Sequence, residues 1–424
     1  MSTLAPSPPF VRRRLRDLLD RQAAVDPDTE ARAQDLIDQV RTEGLPALRR
    51  LAAAFGDCAP TAPLFYERDD LLSARDALPR AQRDLLERTA HRIAAFARAQ
   101  RAALPDVDVP VPGGRAGHTV RPVDRAGCYA PGGRFPLPST VLMTAVTARA
   151  AGVEQVVVAS PKPGPLTLAA AAIAGADRVL AVGGAQAIAA LAYGVDGLEP
   201  VDVVVGPGNR WVTAAKRRVS GDVRIDLLAG PSELVVLADG DADPDRIAAD
   251  LLAQAEHDPD AVPILITPSE PLAERVTRAL DEQLRTLPTG AIAARALRNG
   301  GVVLVADLDA AVAAADALAP EHLQVMTRDA PELARRCRRY GGLFVGAASA
   351  EVFGDYGVGP NHTLPTGGTG RFQGGLSVAS FLVTRTWIEL SADAEARSVA
   401  ADAVALARLE GLEGHARAAE RRLG

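Results

Sequence analysis

The stretch Leu251–Ala261 reads LLAQAEHDPDA and closes an apolar-periodic run, DPDRIAADLLAQAEHD, with Gln254, Glu256, His257 and Asp258 clustered at its end. The chain holds six histidines in 424 residues, and two of them directly follow a glutamate, in Glu256-His257 and Glu321-His322. Gln254 and His257 stand three apart, a spacing that places them on one face of a helix. Together with Asp355, in the polar loop FGDYGVGPNH, and His415, in a C-terminal helix, they offer a nitrogen and oxygen donor set of the kind that suits zinc. A lone QxxH seldom coordinates a metal, and an amide oxygen is an unusual zinc ligand, so spacing alone favours a plain polar helix end over a metal site. Glu321-His322 follows Ala319-Pro320 between a predicted helix and a predicted strand. A carboxylate and an imidazole are bases of ordinary pKa roughly 4 and 6.5, which suits a reaction that removes protons more than once. A capping pair at a helix end would use the same two residue types.

Glycine turns form a second group of motifs. The G-x-G-x-x-G that usually opens a dinucleotide fold is missing. In its place stand LAVGGAQA at 180–187 and VVVGPGNRW at 203–211, each at the carboxyl end of a predicted strand and opening a helix. A third turn, GCYAPGGRFPLPST at 127–140, meets a helix start with Ser139 or Thr140 as a candidate N-cap. Such turns let backbone approach a phosphate at a helix N-terminus, although tight strand-to-helix turns use glycine in any case. Cys58, Cys128 and Cys337 are isolated and odd in number, and read as reduced thiols. Cys128 beside Tyr129 invites a thiolate mechanism, but nothing in its surroundings supplies the positive charge a reactive thiolate needs.

These residues need a scaffold. Residues 1–105 read as helical, with Pro79 dividing DDLLSARDAL from RAQRDLLERTAHRIAAFARAQ. Residues 107–128 have the glycine and alternation of a hairpin. From about Gly127 short apolar strands alternate with helices, first through VEQVVVAS, DRVLAVGG, VDVVVGPG and VRIDLLAG, then through SELVVLAD, AVPILITP, GVVLVAD, HLQVMT and GLFVGA. That alternation predicts two α/β modules, each a parallel sheet covered by helices, with the first interrupting the second. A Gly-rich loop, LPTGGTGRFQGG, precedes a final helix over DAEARSVAADAVALARLEGLEGHARAAERR that has few partners of its own.

Composition excludes other classes. The net charge is −6, the basic runs Arg12–Arg16 and Arg335–Arg339 are short, and aromatics make up 4% of the chain, so no nucleic-acid surface is expected. No run of about 18 apolar residues predicts a membrane span, and the N-terminal stretch lacks the pattern of a secretory signal, so a cytoplasmic protein is expected.

Taken in order, the blocks GCYAPGGRFPLPSTVLM, VGGAQAIAALAYG, VVVGPGNRWVTAAKR, IDLLAGPSELVVLAD, LLAQAEHD, APEHLQV, GDYGVGPNHTLPTGG, GGLSVASFL and LEGLEGH resemble the histidinol dehydrogenase family over essentially the whole chain. The resemblance implies oxidation of an amino alcohol through an aldehyde to an acid, with two hydrides passing to two NAD molecules and one zinc ion per active site. It implies that Gln254, His257, Asp355 and His415 ligate the zinc. It makes Glu321 the base that activates water and His322 the base that takes the alcohol and hydrate protons. Ser232 and Glu410 match substrate contacts alongside the metal ligands and His322, and Tyr129, Gln186 and Asn209 match cofactor contacts. His362 is expected near the site without an assigned step. The resemblance also implies a homodimer with shared sites, in which the C-terminal segment of one subunit delivers Glu410 and His415 to its partner.

The expected architecture is α/β, with two Rossmann-like parallel-sheet modules, one inserted in the other, and helical terminal segments that pack across a dimer. Residues 1–25 form an N-terminal helical segment, 26–126 and 233–375 the main domain, 127–232 the inserted cofactor domain, and 376–424 the dimerisation segment. Phe135, Arg210, Trp211 and the stretch FLVTRTWIEL depart somewhat from the family pattern, which leaves room for a paralogue acting on another amino alcohol or polyol. A zinc hydrolase working through Glu321 and His322, or a silent binding protein, are the readings from other classes. Failure to form NADH from any alcohol would favour the hydrolase, while the intact base and metal positions oppose the silent protein.

Overall fold

The computed structural model describes residues 10–19, 25–59, 61–132, 136–391 and 393–422. Phe135 and much of the expected N-terminal segment lie outside them. Two helix-covered sheets dominate the described residues. The first has six strands in the order Phe65–Tyr66, Arg178–Leu180, Gln155–Ala159, Arg125–Tyr129, Val203–Val205 and Arg224–Ile225. All its pairings are parallel except the antiparallel one between Phe65–Tyr66 and Arg178–Leu180. Its central strands are runs of small and β-branched residues buried on both faces, as parallel sheets require. The second sheet is wholly parallel, in the order Gly301–Leu304, Val262–Thr267, Glu233–Ala238, His322–Met326 and Gly342–Val345. These are the strands expected from the alternating pattern.

The N-terminal helices wrap the first sheet. Pro27–Glu43 packs on Gly184–Tyr193 and Arg210–Val219, Arg68–Ala77 on Pro165–Ala174, and Arg80–Ala102 on Pro138–Ala151. The break at Pro79 is present, because Leu78 turns to extended backbone and Pro79 starts the next helix. The earlier segment takes the other sheet instead. Arg13 donates its backbone N–H to the Val302 carbonyl at 2.8 Å, and Val302 donates to the Val11 carbonyl at 3.0 Å. The short helix Leu15–Leu19 then buries Leu18 against the same sheet.

Two expectations about local structure need correction. The final segment is not one helix but two, Ala394–Leu409 and Glu413–Glu420, separated at Gly411, whose φ of 76° no helix interior accepts. They pack on each other through Val404, Ala407 and Ala416 as a small cluster of their own. The helix carrying Gln254 ends at Ala255, so His257 sits in the turn beyond it. The hairpin is present as Val107–Val111 and Gly114–Pro122, and Leu382–Leu390, the stretch that departs from the family pattern, adds a third antiparallel strand to it. No helix among the described residues is long and apolar enough to cross a membrane.

Candidate active site

The chemistry-bearing residues gather at the amino edge of the second sheet. Glu233 opens one strand, His322 opens its neighbour, and Glu321 directly precedes His322. Just upstream, Ala319 ends the helix Leu308–Leu318 with φ of 43°, a left-handed conformation unusual for alanine, and so sets the direction in which Pro320-Glu321-His322 enters the sheet. Glu233 supports both neighbours. Its N–H donates to Glu321 Oε2 at 2.9 Å, and its carbonyl lies 3.0 Å from His322 Nδ1. A carbonyl only accepts, so Nδ1 carries the proton and His322 Nε2 keeps its lone pair.

Opposite Nε2 lies a cluster of acidic and imidazole groups. Glu351 Oε1 is 3.6 Å from His322 Nε2. His257 Nε2 is 3.4 Å from Asp355 Oδ2, and His362 Nδ1 is 3.8 Å from Asp355 Oδ1. Ligand atoms of His257, Glu351 and Asp355 all fall within 4.8 Å of one another, a spacing that one cation can bridge. Gln254 is 1% exposed and its Oε1 has no hydrogen-bond partner among the described residues; the same holds for both oxygens of the fully buried Glu351. Buried acceptors without donors are costly, and a divalent cation satisfies such a set of oxygens and nitrogens. The residues therefore fit a metal of zinc type.

Burial sets the acid–base character of the pair beside this cluster. Desolvation pushes the Glu321 carboxyl well above the ordinary carboxylate range, and the acidic neighbours Glu233, Asp355 and Glu351 push the same way. Desolvation lowers His322 to about 4, so its imidazole is neutral at neutral pH. Burial, then Asp355, raises Glu351. Burial opposes ionisation of Asp355, yet the hydrogen bond with His257 and the nearby His362 and His322 hold its carboxyl below the usual value. His257 moves up for the reciprocal reason, its hydrogen bond to Asp355. A neutral imidazole and a carboxyl of raised basicity are both able to accept protons.

The glycine turns lie at the carboxyl edge of the first sheet. Tyr129 ends a strand, and its hydroxyl accepts the Gly184 N–H at 3.3 Å. Gln186 is buried in the first turn of Gly184–Tyr193 and donates through Nε2 to Asp57 at 3.1 Å. Asn209 caps Arg210–Val219, its Oδ1 accepting from the N–H groups of Trp211 and Val212. One cavity of about 1480 Å³ is lined by Tyr129, Gln186, Asn209 and Trp211 and also by His257 and Tyr356. The two sheets thus contribute opposite strand edges to one cleft. Gly206, which precedes Asn209 in the GPGN turn, has φ of 113°, and a Cβ there would lie 2.0 Å from the Tyr129 carbonyl oxygen. Gly206→Ala is expected to cost at least ~2 kcal/mol of stability and to raise KM for the nucleotide; an unchanged melting temperature together with an unchanged KM would contradict that reading of the turn.

The structure brings together His257, Glu321, His322 and Asp355, with His362 beside them, while Gln254 is buried in the last turn of the helix that precedes His257. Ser232 is half-buried immediately before Glu233. Glu410 and His415 are exposed on the C-terminal helix pair and do not line the cleft of their own chain. Cys128 is fully buried, and burial raises its thiol to about 12, which fits a packing role. Sequence reasoning missed Glu351, although it stands four residues before Asp355, one helical turn away. It also missed Asp57, which accepts from the Gly183 N–H as well as from Gln186; no local pattern ties that loop residue to the cleft.

Comparison with known proteins adds three findings. A family model described as Histidinol dehydrogenase matches residues 19–423. Histidinol dehydrogenase of Thermus thermophilus is 47% identical over 405 residues, covering 95% of this chain and 96% of that protein, and that of Nitrosomonas europaea is 42% identical, covering 96% of each. The crystal structure of histidinol dehydrogenase from Elizabethkingia anophelis superposes with a TM-score of 0.91 at 30% identity, covering 98% of both chains.

Proposed function

The chain belongs to the histidinol dehydrogenase family and is an NAD-dependent oxidoreductase that oxidises histidinol in histidine biosynthesis; on that premise we propose how its own residues divide the work. Gln254, His257 and Asp355 hold zinc from one chain, and His415 of the partner subunit completes the set. Ser232, and Glu410 of the partner subunit, position the substrate. Tyr129, Gln186 and Asn209, within the module of residues 127–232, seat the cofactor. When bound, NAD would supply the hydride acceptor and zinc a Lewis acid that helps position the substrate.

His322 takes the alcohol proton through Nε2, the nitrogen left free by the Glu233 carbonyl. Its low pKa keeps it in the accepting form, so no deprotonation precedes catalysis. Glu321 draws a proton from water to hydrate the aldehyde, and its buried carboxylate is a stronger base than an exposed one. Having passed its first proton to the aldehyde oxygen as water adds, His322 then takes the hydrate proton in the second oxidation. Cytoplasmic location and a homodimer with shared sites belong to the same reading.

The shared cleft is the observation that carries this division, because His257 lines the same cavity as Tyr129, Gln186 and Asn209. Purified protein is expected to form NADH from L-histidinol. Chelation should cut the rate to below about a tenth, and added zinc should restore it. Full activity after metal analysis confirms zinc removal would exclude zinc from the mechanism.

A further inference from the structure

We propose that Lys216 and Asp226 are positioning residues for cofactor binding, a buried ion pair that clamps the backbone of Gly206 and so sets the turn carrying Asn209. The proposal rests on the reading of Asn209 as a cofactor contact. The side chains of Lys216 and Asp226 are 2% and 1% exposed and are hydrogen-bonded to each other. Lys216 Nζ donates to the Gly206 carbonyl at 3.0 Å, and Asp226 Oδ2 accepts the Gly206 N–H at 2.7 Å. Both polar groups of one glycine are therefore held by the two halves of the pair. That glycine is the residue whose φ of 113° and contact with the Tyr129 carbonyl leave no alternative side chain.

The connections form a closed circuit. The strand Val203–Val205 runs into Gly206, the turn reaches Asn209, Asn209 caps Arg210–Val219, and Lys216 on that helix returns to Gly206. Asp226 also accepts the Leu227 N–H at 2.6 Å. Thr213, on the same helix, donates to the Ala229 carbonyl at 2.8 Å. The segment leading to Ser232 is thus tied to the same helix, and the pair stands between the cofactor turn and the substrate loop.

Stability does not account for such a pair. Taking both charges out of water costs several kcal/mol per ion, and apolar side chains of similar volume often serve a core as well or better. Apolar side chains cannot hold the N–H and C=O of a glycine in a strained turn. The choice of cation points the same way. Of the 47 basic residues only Lys162 and Lys216 are lysines, so this chain uses arginine almost everywhere else. A compact ammonium reaches one carbonyl and one carboxylate in a closed space, whereas a planar guanidinium needs more room and a fork of acceptors.

The test compares full-length Lys216→Arg, the neutral pair Lys216→Met with Asp226→Asn, and Asn209→Ala, each with wild type. NAD and histidinol are varied separately, and melting temperature is recorded. The neutral pair is expected to raise KM for NAD at least tenfold, with kcat at saturating NAD and KM for histidinol within threefold of wild type. Lys216→Arg is expected to raise KM for NAD several-fold, and it decides the matter if the neutral pair does not fold. Unchanged KM for NAD in a folded pair variant, or equal rises in both KM values, would overturn the proposal while Asn209→Ala still weakens NAD. If Asn209→Ala also leaves KM for NAD unchanged, the cofactor seat is misplaced and the proposal falls with it.

Discussion

Glu321→Gln is expected to leave conversion of histidinol to the aldehyde within about tenfold of wild type and to slow conversion of the aldehyde to histidine by about 10²–10⁴-fold, the range for loss of a positioned general base. The amide has nearly the shape of the carboxyl and keeps an oxygen to accept the Glu233 N–H, so the packing at the edge of the second sheet survives. What disappears is the basicity that burial confers on Glu321. His322 keeps its own support from the Glu233 carbonyl and its free Nε2, so the alcohol proton still has an acceptor. The measurement is NADH formation with histidinol and with the aldehyde supplied separately. Aldehyde should accumulate in the first case. Equal loss in both steps would contradict separate roles for Glu321 and His322.

The second large effect concerns subunits rather than bases. His257→Ala and His415→Ala are each expected to be nearly inactive, because each removes a ligand of the proposed zinc site. Mixed and allowed to exchange, they should recover activity, because one of the two sites in a heterodimer then draws both wild-type ligands. Random exchange at equal amounts makes about half of all dimers heterodimers with one intact site of two, so recovery should approach about a quarter of wild type. The C-terminal helix pair favours this outcome. It exposes Leu406, Leu409 and Leu412, the second to 85%, and packs mainly on itself. His415 projects from it without lining its own chain's cleft. Exchange confirmed by mass labelling, with no recovery, would place both ligands in one chain.

Much of this was legible because the signals were local. VEQVVVAS, AVPILITP and HLQVMT are short apolar runs between helical periods, and each became a buried parallel strand. Glu321-His322 stood out by adjacency, and its place at a strand entrance followed from Ala319-Pro320 before it. Other features depend on long-range partners. Leu382–Leu390 is a strand because Gly114–Pro122 offers it an edge, and most of its side chains face solvent, so no buried stripe marked it. The helix over 393–422 read as continuous because one glycine does not stop a helical pattern; the φ of Gly411 is visible only in the fold. Gln254 and His257 were read as neighbours on one helix face, whereas the helix ends between them and the turn carries His257 to Asp355. Glu351 hid as an ordinary acidic residue until burial removed its water and left it beside His322.

Anomalous diffraction at the zinc edge, on crystals loaded with zinc and L-histidinol, tests the central claim most directly. The expected result is one peak per chain within bonding distance of Gln254, His257 and Asp355, with His415 of the partner subunit as the remaining protein ligand. A peak elsewhere, or one whose ligands exclude His257 and Asp355, would contradict the account.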